Sequence, residues 1–160
     1  MTTTANNTVT GVESRILREG FGEGAWHGPD LKAALAEVTE ATAFSRPAPG
    51  RHNIAEIALH HAYYVHAVRT KLSEVAPEPF VLEGDDWFPI ADSSAMTWST
   101  IVEVVAREHG RLADAVADVS AGRARSPLPE SERLDLVLGI TCHAVYHAGQ
   151  IQLVKRLLAA

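Results

Sequence analysis

The sequence predicts an all-α protein, a four-helix bundle whose first helix is interrupted. Three observations carry that prediction. Three long segments place apolar residues three, four or seven positions apart, the period of a helix with one buried face. No segment shows the alternation of a half-buried strand; "PFVLEG" comes nearest, and a single extended piece makes no sheet. Stretches rich in proline and glycine separate the helical segments, as connections do. The length, 160 residues, suffices for one domain with its own core. The expected organisation is a flexible polar segment over 1–11 and a single bundle domain over 12–160.

The first helix starts near Glu13 in "ESRILREGF". "GEGAWHGPD" interrupts it with three glycines and a proline, and it resumes in "PDLKAALAEVTEA", where Pro29 suits a first helical turn. "FSRPAPGRH" is a loop. Asn53 can cap the second helix, and Glu56 stands where a capping-box partner belongs. That helix runs from about Ile54 to Val75, with positions 54, 57, 58, 61, 65, 68 and 72 on its apolar stripe. "APEPFVLEGDDWFPIADSS" follows, a connection long enough to read as functional. The third helix spans about Met96 to Val119, with Trp98, Ile101, Val105, Leu112, Val116 and Val119 in line. After "SAGRARSPLPES" the fourth runs from about Glu132 to Leu158. Its stripe of Leu136, Ile140, Val154 and Leu157 also carries His143 and His147.

Charge and composition exclude several function classes. The net charge of −6, with scattered lysines and arginines, argues against nucleic acid or an anionic membrane as partner, since neutralising phosphates needs a basic patch. One cysteine, Cys142, excludes an intrachain disulfide and is compatible with a reducing compartment. "MTTTANNTVTGVES" lacks the basic start and apolar run of a secretory signal, and no apolar stretch reaches the ~20 residues of a membrane span. The expectation is a cytoplasmic protein acting on a small molecule.

The histidines carry the chemistry. Eight are present, and five of them fall in two tight groups. His143 and His147 are one helical turn apart, so both imidazoles can converge on one ion. They share the buried stripe, and a buried imidazole needs a hydrogen-bond partner or a metal. A third ligand from the second helix completes such a site. His61 lies on the apolar stripe; His60 lies one step around, on the line Glu56–His60–Tyr64. Periodicity does not choose between them. His66 is expected on the surface, His109 on the exposed side of the third helix, and His27 and His52 in loops. Trp26 and Trp87 are candidate pocket walls, although ordinary packing explains each. Gln150, one turn beyond His147, is a candidate outer partner of that ring.

Two stretches resemble the DinB-like (YfiT-type) four-helix bundle superfamily. "HNIAEIALHHAYY" (52–64) is similar to its second helix, and "HAVYHAGQIQLVKRLL" (143–158) to its fourth, with HxxxH followed by Gln; "AWHGPDLKAAL" looks like a pattern in the first. The resemblance implies His60, His143 and His147 as ligands, because the family's histidine follows the glutamate by four. It further implies a divalent metal, commonly zinc or nickel, and a homodimer. Known activities include S-transfer and isomerisation with a low-molecular-weight thiol co-substrate, mycothiol or bacillithiol. Three neutral imidazoles leave the ion its charge and an open position, which can make a nucleophile of water or thiol. The expected function is a metal-dependent hydrolase or thiol S-transferase. The alternatives are a non-catalytic metal- or ligand-binding bundle and a bundle whose histidines merely bond one another. Glu56 and Tyr64 are within a turn of His60 and are the candidates for further polar groups at the site.

Overall fold

The computed structural model describes residues 11–160 except 23, 75 and 77; most of the expected flexible segment, 1–10, lies outside the described residues. Among the described residues there are six helices: α1 (Val12–Gly20), α2 (Leu31–Leu35), α3 (Glu40–Phe44), α4 (Ile54–Leu72), α5 (Trp98–Ser120) and α6 (Glu130–Ala159). There is no strand among the described residues. The bundle is built by α1, α4, α5 and α6, packed as a ring in which α4 contacts α5 and α6, and α1 contacts α6 and α5.

The directions of the helices follow from their side-chain partners. His61 meets His109, and farther along α4 Leu72 shares a cluster with Leu112 and Val116, so α4 and α5 run parallel. Ser120 at the end of α5 donates to Glu13 at the start of α1 (3.1 Å), and Arg133 near the start of α6 lies 3.5 Å from the same carboxylate. Parallel neighbours cannot be joined by a tight turn. The chain must return along the length of α4, 19 residues or roughly 28 Å. The connection between Leu72 and Trp98 makes that return. Glu78 pairs with Arg69 (2.8 Å) and Arg111 (2.7 Å), Phe80 packs on Tyr63, Asp86 meets His60, and Asn53 donates to the carbonyl of Ile90 (2.8 Å).

The expected resumption of the first helix over "PDLKAALAEVTEA" is corrected. The segment makes two short helices, broken where Ala36 is extended and Glu37 has φ +60°. Asp30 caps α2, accepting from Ala33 N, and Thr39 caps α3, accepting from Thr42 N. Tertiary burial overrides helix propensity here. Leu31, Ala34 and Leu35 are buried with α2 against α6, while Val38 and Ala43 join the core near α4 and α5; Trp98 Nε1 donates to the Val38 carbonyl (2.8 Å). One straight helix cannot reach both places.

α4 is covered by α5, α6 and the return connection, so it is buried on nearly every side. That corrects the surface placement of His66. It is buried, with Nδ1 3.3 Å from a carboxylate oxygen of the buried Glu108, which also has Arg69, Arg107 and Arg111 within 4 Å.

Candidate metal centre

Each candidate side chain reaches the interior for a local reason. Asn53 caps α4 by accepting from Glu56 N (2.8 Å), which fixes where the helix begins and hence which residues face α6. His60 and His61 lie on adjacent faces of α4, while His143 and His147 lie one turn apart on α6. Gly20, the last residue of α1, allows α1 to press on α6 just beside them. A Cβ built there would stand 2.9 Å from the Ala144 Cβ.

His60, His143 and His147 each present one ring nitrogen, and the three nitrogens lie within 4.8 Å of one another. The Nε2 atoms of His143 and His147 are 3.1 Å apart. Metal–nitrogen bonds of about 2.0–2.1 Å put neighbouring ligand atoms roughly 2.9–3.4 Å apart, so this pair is already at ligand spacing. The outer nitrogens settle the tautomers of two rings. His60 Nδ1 donates to the carbonyl of Asp86 (2.8 Å), with the Asp86 carboxylate 3.0 Å away. His147 Nδ1 donates to Gln150 Oε1 (2.6 Å), and Gln150 Nε2 donates in turn to the Tyr146 hydroxyl (3.2 Å). A ring that carries a single proton and spends it there keeps its Nε2 lone pair free, the form that binds a metal. Burial, with the neighbouring histidines, lowers the pKa of His143 to about 4; burial does the same for His147, against the opposing effect of Gln150. Both stay neutral at physiological pH without help from an ion. The donor set and its protonation fit a divalent cation.

His61 is the register alternative, and the geometry gives it a different place. It is fully buried, with Nδ1 2.8 Å from His143 Nδ1 and Nε2 2.8 Å from His109 Nε2. Neither nitrogen faces the other three rings' convergence. The expected surface position of His109 is likewise corrected: it is buried and stacked on Phe21 at 4.1 Å. The signal was present, since 109 lies four after Val105 and three before Leu112 on the buried stripe of α5. Asp86 was also missed. It adopts φ +72°, a left-handed conformation that aspartate tolerates better than most residues, and this turn brings its carbonyl to His60.

Trp87 is sandwiched between His60 (3.9 Å, 10°) and His52 (3.7 Å, 4°), so it packs directly on a candidate ligand. Glu56 supports that stack from behind. Its side chain does not return to Asn53 as a capping box would. Its Oε2 accepts from Arg46 Nη1 (3.0 Å) and from His52 Nδ1 (2.8 Å), and its Oε1 accepts from Ile90 N (3.2 Å) and contacts Arg46 Nη2. Burial opposes its ionisation, but these hydrogen bonds outweigh it and hold the pKa below the usual glutamate value. Tyr64 lies beside the site, its ring 5.0 Å from both His60 and His143. Its hydrogen bond to Asp86 raises its pKa, so the phenol keeps its proton. Trp26 is not brought to the site. The residue is 94% exposed, on a segment after α1 where Trp26 N is held by Glu19 (2.9 Å). His27 is exposed in that same turn, as expected.

A cavity of about 510 Å³ is lined by Trp87, Gln150, Ile57, Leu153, Val154 and His52; none of the three rings lines it, but Trp87 stacks on His60 and Gln150 bonds His147. No described helix is long and apolar enough to cross a membrane. Comparison with curated proteins and with solved structures gave no match. The family model of the DinB superfamily matches residues 25–151, which takes in α2 to α5, the return connection and all but the end of α6. With that match over most of the chain, and a helical bundle that places three histidines together, the chain belongs to the DinB superfamily.

Proposed function

We propose that this chain is a metal-dependent enzyme acting on a small molecule, either a hydrolase or an S-transferase using a thiol of the mycothiol or bacillithiol type. His60, His143 and His147 are the proposed ligands, and zinc or nickel the proposed ion. The observation that carries this reading is the convergence of three imidazoles, two of them contacted by Trp87 and Gln150 of an apolar cavity wall. Three ligands leave room for a fourth partner, and a divalent ion there makes water or a thiol acidic enough to act as a nucleophile near neutral pH.

The surrounding residues have separable parts in this scheme. Asp86 and Gln150 fix ring orientation through Nδ1. Trp87 holds the face of His60 and walls the cavity. Tyr64 keeps its proton and is placed to donate a hydrogen bond rather than to act as a base. Glu56, occupied by Arg46, His52 and Ile90, supports the stack from outside and is no general base. The proposed setting is the cytoplasm and the proposed assembly a homodimer, which light scattering on the full chain tests.

The deciding experiment measures metal by mass spectrometry in tag-free protein purified without added ions. About one equivalent of zinc or nickel is expected. His143→Ala is expected to remove nearly all of it while helical content is retained. Wild-type protein that takes up neither zinc nor nickel would overturn the reading. The loaded protein is then offered simple esters and thiol conjugates; turnover that disappears with His143→Ala separates an enzyme from a binding module.

A further inference from the structure

We propose that His61 and His109 are positioning residues for His143: the two buried rings form a string that holds the His143 proton on Nδ1 and turns its Nε2 lone pair toward His60 and His147. This inference rests on the metal reading above.

The string crosses the bundle through three helices. His143 of α6 contacts His61 of α4 at 2.8 Å, and His61 contacts His109 of α5 at 2.8 Å. The rings are nearly coplanar in direction, tilted by 23° and 25° with centroids 5.0 Å apart. His61 is fully buried, so its partners are these two rings. Both nitrogens of His61 face imidazole nitrogens and the ring is cut off from water, as is His109, a setting in which each ring carries a single proton.

A neutral imidazole donates at one nitrogen and accepts at the other. Two hydrogen bonds in series through His61 must then run in the same direction. In one direction His143 Nδ1 donates to His61 Nδ1, and His61 Nε2 donates to His109 Nε2. In the other, His109 Nε2 donates to His61, and His61 Nδ1 donates to His143. The second direction leaves the His143 proton on Nε2, the atom 3.1 Å from His147 Nε2, where it blocks ligation. Only the first direction frees that lone pair. It requires His109 to accept at Nε2 and so to carry its own proton on Nδ1. His109 forms part of the wall of a groove of about 420 Å³ between α1 and α5, with Phe21 stacked on its face. A residue on the far side of the bundle thus selects the tautomer of a candidate ligand without touching the ion. His60 and His147 need no such string, because oxygen acceptors fix their protons locally.

The test compares wild type, His109→Leu and His109→Gln as full-length chains. Zinc affinity is measured by competition with a chromophoric chelator, and ring tautomers by long-range nitrogen–proton spectra of the zinc-loaded wild type. Leu offers no acceptor to His61 Nε2, and a roughly 10–100-fold loss of zinc affinity is expected, the usual effect of removing an outer partner. Gln accepts through its side-chain oxygen and is expected to restore most of that loss. The spectra are expected to place the His109 proton on Nδ1 and the His61 proton on Nε2. Unchanged zinc affinity in folded His109→Leu, an equal loss in both variants, or a His109 proton on Nε2 would each overturn the string alone. A wild type that takes up neither zinc nor nickel overturns it together with the metal reading; one that takes up nickel alone moves the same comparison to nickel affinity. If His109→Leu does not fold, the wild-type spectra decide.

Discussion

Asp86 and Gln150 perform the same task by different means. Each accepts an Nδ1 proton, and each thereby frees an Nε2. The acceptor on His60 is a backbone carbonyl, so side-chain substitution leaves it in place. Gln150→Leu is accordingly expected to lower metal affinity by roughly 10–100-fold, and Asp86→Asn by clearly less; chelator competition ranks the two. Equal losses would show that the Asp86 carboxylate, 3.0 Å from the ring, matters as much as its carbonyl. Gln150 was readable from its position one turn past His147. Asp86 was not, because its role depends on a backbone turn in a connection whose path no periodicity describes.

Among the elements, α1 and the return connection set the site's shape. α1 lies close to α6 because Gly20 has no side chain to hold it off. Gly20→Ala is expected to destabilise the protein by about 1–3 kcal/mol, since the neighbours are Ala144 Cβ and the Thr141 backbone rather than a flexible chain end; a denaturant midpoint measures it. Asn53 joins two elements, capping α4 and donating to the Ile90 carbonyl. Asn53→Ala is expected to cost about 1–2 kcal/mol from the lost cap. It should also speed amide exchange around Trp87 and Ile90, where an effect of the cap alone would stay within the first turn of α4. The long connection stood out in the sequence by its length. Its course became clear only with α4 and α5 parallel, since that topology makes the chain pass His60 on its return.

For the whole molecule, the buried histidines tie stability to pH. His109, His143 and His147 have folded pKa values of about 3, 4 and 4, all below the ordinary 6.5, with burial the leading cause. Between pH 6.5 and about 4 the unfolded chain binds more protons than the folded one, so stability falls as pH falls through that window. Chelator-treated protein is expected to show a lower denaturant midpoint at pH 5 than at pH 7.5, with a smaller difference in His109→Gln. A midpoint independent of pH would contradict neutral buried rings.

The helical class, the three long helices, the cap at Asn53 and the pairing of His143 with His147 were determined by sequence alone, because spacing along one helix is a local property of the chain. Tertiary structure decided what lies across helices. It broke "PDLKAALAEVTEA" in two so that each half could bury its apolar residues on a different neighbour. It drew His66 and His109 inside, because a helix covered on several sides has no exposed face for periodicity to mark. It also separated His60 from His61, adjacent in the chain, by turning one toward the other candidate ligands and the other into the bundle's interior between His143 and His109.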